Sequence, residues 1–122
     1  MVLNRSQVKR PVLPQQIEPC EPLGGDVVVR GMSLSERMAT DDLNIKAAAP
    51  LEGETDEEAR ARAGRLVVPR TLRVCVVDDE GAPVLTEQEW DALGATHQSL
   101  VFHLFFIALR LSGRDPEAIQ KN

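Results

Sequence analysis

Aromatic residues are scarce in this 122-residue chain: three phenylalanines, one tryptophan and no tyrosine, 3% of the total. A hydrophobic core must therefore be mostly aliphatic, and the 43% of apolar residues is too much for a wholly disordered protein. Positive charge is short as well. With 14 Lys and Arg against 19 Asp and Glu, the formal net charge is -5, which argues against general affinity for nucleic acid or an anionic membrane. Arg5, Lys9 and Arg10 make a small basic arm that reads as a solvated tail or a docking point for an acidic partner. Only two cysteines occur, Cys20 and Cys75, with no metal-ligand spacing around either. Cys75, set in an apolar run, reads as a small buried side chain.

Long apolar runs are missing too. The densest, Leu100 to Leu111, is interrupted by His103 and Arg110 and is too short to span a bilayer, while Met1 to Pro11 has no apolar core of a secretory signal. The expectation is a soluble, intracellular protein. Catalytic and cofactor motifs are also lacking: there is no glycine-rich phosphate loop and no serine or cysteine in a recognisable nucleophile setting. His97 and His103 do not share a helix face well, and Asp78-Asp79-Glu80 lacks the ligand series of a calcium loop. No enzyme, metal or cofactor is expected.

What is present is a succession of local start and stop signals. Val12 to Ile17 and Val27 to Arg30 are short extended segments, separated by Pro14, Pro19, Pro22 and the Gly24-Gly25 pair, a spacing that permits a hairpin with a long connection. If Val28 faces inward, Val27 and Val29 face out, and a three-valine edge strand becomes a candidate contact surface. Ser33 with Glu36 forms a capping box opening a helix to about Ala48, with Leu34, Met38, Leu43 and Ile45 among its apolar members and Pro50 beyond its end. Thr55 opens another, whose register through Ala59, Ala63, Leu66-Val67, Thr71, Val74 and Val77 predicts an amphipathic helix with a kink or restart at Pro69. Val74 to Val77 is read as helix, with a strand as the alternative.

Asp78-Asp79-Glu80-Gly81 stops that element, and Thr86 with Glu89 caps a short helix running through Trp90 and Leu93 to Gly94. Thr96 is the expected cap of the last major helix, Gly113 its stop, and Asp115-Pro116 the start of a final short one. The expected fold is mainly α: an N-terminal arm over 1–22, partly extended or flexible, and a single mainly helical domain over 23–122 with a short N-terminal β-hairpin or extended arm.

The last long helix is apolar on almost every side. Leu100, Leu104, Ile107, Ala108 and Leu111 form one stripe suited to the core, whereas Phe102, Phe106 and Leu109 cluster almost opposite. That second stripe needs a cover, supplied either by the remaining helices or by another chain. Face analysis thus nominates Val27, Val29, Phe102, Phe106 and Leu109 as partner-binding residues.

The order of these motifs resembles that of the siphophage tail assembly chaperones. The resemblance is carried by Gly24-Gly25-Asp26-Val27-Val28-Val29-Arg30, Leu34-Ser35-Glu36-Arg37, Val77-Asp78-Asp79-Glu80-Gly81, Leu85 to Gly94, and Leu109-Arg110-Leu111-Ser112-Gly113. Together they cover roughly Gly24 to Gly113. Pro69 inside a helix, and Leu111-Ser112-Gly113 where family members often have Leu-Asn-Gly, depart from the pattern. The resemblance implies a small, mainly helical factor that holds the major tail-tube protein and the tape-measure protein in the host cytoplasm during virion assembly, shielding apolar surfaces until polymerisation displaces it. Self-association is compatible with that role. The other functional classes are a permanent component of the tail or connector and a small cellular helical adaptor.

Overall fold

The computed structural model describes residues 2–114. Among them a three-stranded antiparallel sheet, order β1-β2-β3, is backed by four helices. The strands are β1 (Gln15–Cys20), β2 (Gly25–Arg30) and β3 (Val76–Val77); the helices are α1 (Leu34–Ala47), α2 (Asp56–Cys75), α3 (Glu87–Thr96) and α4 (Gln98–Leu111). The mainly α class with an N-terminal hairpin is what the sequence predicts. The connection between β1 and β2 is a 3-10 turn, Glu21–Leu23, closed by Gly24 at φ +88°. The boundary between 22 and 23 therefore falls inside the hairpin, and β1 pairs with β2 along its whole length.

Three helix starts follow directly from side chains that satisfy otherwise orphaned N–H groups. Ser33, Thr55 and Thr86 each accept from the backbone of the glutamate three residues later, and each glutamate accepts in return from the capping residue's N–H. The helix α4 begins differently. Thr96 does not cap it; its hydroxyl donates to the Leu93 carbonyl at the end of α3, and His97 occupies the capping position without a side-chain cap bond. The helix α3 runs through Gly94 rather than stopping before it. Gly113, at φ +79°, follows the end of α4 as expected, while the short helix expected at Asp115-Pro116 lies outside the described residues.

Pro69 neither ends nor restarts α2, which is continuous across it to Cys75. A proline there leaves the Arg65 carbonyl without its helical donor, and Arg65 lies on the exposed side, where water can serve it. Val74 and Cys75 are helical, but Val76 and Val77 leave the helix to pair with Val29 and Val28. The open edge of β2 thus overrides the helical periodicity at the last two valines, whose β-branched side chains suit a strand.

The core lies between the sheet and the helices. Trp90, Leu72, Leu104, Val29, Val76, Cys20 and Cys75 are all fully buried. Trp90 is the fully buried aromatic side chain, Phe105 packs against the cluster from α4, and most of the rest is aliphatic. At Gly31, where the chain leaves β2, an added methyl group would run into the backbone carbonyl of Leu111. The next residue is tied to the same place: the Met32 N–H donates to the Ser112 hydroxyl at 2.9 Å. No helix among the described residues is long and apolar enough to cross a membrane.

Candidate functional site: two exposed apolar faces

Of the five residues nominated from the sequence, two lie at the surface. Phe102 is 49% exposed and Phe106 40%, on successive turns of α4, with ring centroids 6.2 Å apart. Val27, Val29 and Leu109 are buried. The inward and outward positions of β2 are the reverse of those expected: Val27 and Val29 turn to the helices, and Val28 takes the other face. Nor is β2 an edge strand, since β1 and β3 flank it. Alternation fixes that the two sets are opposite but not which one meets the core. Here Val29 and Val76, partners across the strands, are both covered by the helical layer.

Leu109 is covered from within the chain. It lines a small cavity of about 30 Å³ together with Thr40, Asp41 and Asn44 of α1 and Val67 and Thr71 of α2. Thus α1 closes one end of the second α4 stripe and leaves Phe102 and Phe106 open.

The manner in which α1 does so is unusual. Its half-buried and buried positions are Glu36, Arg37, Thr40, Asp41, Asn44 and Ala47, a continuous helical face that is mostly polar. Leu34, Met38 and Ile45, spaced by four and seven residues, share a stripe on the exposed flank of the helix and are 73%, 64% and 72% exposed. Polar contacts hold the inner side. Arg30 grips Glu36 through two hydrogen bonds of 2.7 Å, Arg70 donates to Asn44 at 2.8 Å, and Arg114 donates to both oxygens of Asp41 at 2.7 Å. The Arg30 guanidinium brings the Glu36 carboxyl down to about 2. Beyond the helix, Arg62 binds Glu54 and the Ala49 carbonyl, anchoring the connection to α2.

An ordinary surface helix turns its apolar stripe inward. In α1 that stripe faces solvent, and with Leu43, itself 50% exposed, the helix presents four large apolar side chains that are mostly uncovered among the described residues. In the sequence these residues are apolar members of the helix with no outward face assigned to them. The signal was available in their spacing, set against the charged and amide residues between them.

The phenylalanine face adjoins a groove of about 650 Å³ between α2, α3 and α4. Gly64, Arg65 and Val68 line it from α2, Asp91 and Gly94 from α3, and Val101 and Phe102 from α4. Arg65 and Asp91 are exposed, and neither has an ion-pair partner among the described residues.

The titratable groups elsewhere among the described residues are spread over separate places. Asp78 is used structurally, its carboxylate accepting from the N–H groups of Glu80 and Ala82 at 2.9 Å each. His103 approaches Glu18 at 3.4 Å on the exposed surface, and His97 shares an open recess with Glu21. Among the described residues, no group of three His, Cys, Asp or Glu side chains is placed to hold a metal ion. Both cysteines are free and buried, and burial pushes the Cys75 thiol up to about 11. No family model, curated protein or solved structure matches the chain.

Proposed function

We propose that this protein is a tail assembly chaperone of the siphophage type, which covers an apolar, assembly-prone surface of the tail-tube and tape-measure proteins. The observation that carries this reading is the outward stripe of α1. Leu34, Met38 and Ile45 are exposed while the side that rests on the body is polar. Such a helix gives up intramolecular burial in order to keep aliphatic surface available. Each of these side chains would contribute on the order of 1.5 to 3 kcal/mol when fully buried by a client, before the cost of ordering the interface.

The arrangement also supports release. Leu34, Met38 and Ile45 leave solvent only in the complex, so displacement by a second tube subunit leaves α1 as it is in the free protein. The motif order from Gly24 to Gly113 points to the same class of role. Co-expression with the candidate tail-tube protein tests it. The wild-type chain should keep the tube protein soluble and co-purify with it, whereas Leu34→Gln/Met38→Gln/Ile45→Gln should fold and fail to do so. A tube protein that aggregates equally with and without the chain removes the chaperone role. Retention of the chain in purified particles would make it a structural component instead.

A further inference from the structure

The groove between α2, α3 and α4 contains two glycines that the fold itself does not require. Gly64 lies in the interior of α2 and Gly94 in the last turn of α3, and the lining of the groove at each is bare backbone. A methyl group added at Gly64 would meet nothing within 4 Å, and one at Gly94 only the tip of Val101 at 4.0 Å. Alanine would fit both places, and glycine in a helix interior costs roughly 0.5 to 1 kcal/mol relative to it. Packing within the chain therefore does not account for either glycine. Close approach of another molecule's side chain would account for both.

The same face carries the matching projection. Phe102 forms part of the groove wall, and Phe106, one turn further along α4, stacks on it and stands out from the surface. A recess and an apolar knob lie side by side. The rim is charged in both signs, with Arg65 on the α2 wall and Asp91 on the α3 wall, and neither has an ion-pair partner among the described residues. A partner bearing one sign of charge would satisfy only one of them. A second copy, rotated about a twofold axis, offers an aspartate to the arginine and an arginine to the aspartate, and places each knob at the other's recess.

We infer that the face formed by Gly64, Arg65, Asp91, Gly94, Phe102 and Phe106 is a self-association surface whose occupant is a second copy of this chain. The pairing does not depend on the assembly role, and none of the residues of this face belongs to α1.

Sedimentation velocity on the purified chain alone, from low micromolar to several hundred micromolar, reads the result without any client. The wild type should pass from monomer to dimer over that range. Phe106→Asp, at an exposed position that the monomer does not need, should stay monomeric with an unchanged circular dichroism spectrum. Arg65→Asp and Asp91→Arg should each weaken dimerisation by about tenfold or more, and the double exchange should recover most of it. A wild type that remains monomeric throughout overturns the inference. So does a dimer that survives both Phe106→Asp and the single charge reversals, since its contact would then lie elsewhere.

Discussion

The helices α1 and α4 have the same length and opposite logic. In α4, Val101, Leu104, Ile107 and Ala108 are buried against the sheet and the other helices, and the apolar surplus left outside is Phe102 and Phe106. In α1, the surface turned inward is held by arginine contacts to Glu36, Asp41 and Asn44, while Leu34, Met38 and Ile45 point to solvent. Burial of each large aliphatic side chain in α4 stabilises the fold by roughly 1.5 to 3 kcal/mol, whereas partly exposed ion pairs such as those under α1 contribute about 0 to 1 kcal/mol each. The body of the molecule is therefore organised by α4, and α1 is an attached element whose exposed side is available for use.

Several changes would break or sharpen this contrast. The largest effect is expected at Gly31, which joins the sheet to both helices: Gly31→Ala forces a methyl group into the Leu111 backbone and should cost about 3 kcal/mol or more in urea denaturation. Leu104→Ala, at a fully buried site of α4, should cost about 2 to 5 kcal/mol, while Ile45→Ala in α1 should stay within about 0.5 kcal/mol. Equal losses at the two sites would erase the distinction.

Acid provides a subtler probe of how α1 is attached. The Glu36 carboxyl titrates at about 2 in the folded chain against 4.5 for the unperturbed group, so its contribution is complete above 4.5 and is lost as pH falls towards 2. Glu36→Gln should remove about 1 kcal/mol at neutral pH, once solvent screening is allowed for, and flatten that part of the acid titration. Hydrogen exchange should show the smallest perturbation of all, since it leaves the sequence intact. Amides of α1 should exchange earlier than those of α4, through local opening that leaves the core in place. In the same native state, the two thiols should resist alkylation at pH 8, because both are buried.

Much of the fold was legible because it is encoded locally. Ser33, Thr55 and Thr86 each announce a helix through the glutamate three residues on, and Gly113 marks the end of α4. What was not legible depends on partners distant in sequence. Val76 and Val77 became a strand because β2 presents them with an open edge, and Val27 and Val29 turned inward because the helical layer covers that face of the sheet. Periodicity also found the stripe of Phe102, Phe106 and Leu109, but only the position of α1 decides that Leu109 is covered and the phenylalanines are not. The outward stripe of α1 escaped for a related reason. An apolar spacing identifies a face, and its direction was set by arginines at positions 30, 70 and 114.

The direction of α1 is tested most directly by urea denaturation of Leu34→Gln/Met38→Gln/Ile45→Gln. If the three side chains face solvent, the unfolding free energy of the isolated protein should stay within roughly 1 kcal/mol of the wild type. A loss of several kcal/mol, of the size that burial of three aliphatic side chains provides, would mean that α1 turns this face to the core, and would contradict the account.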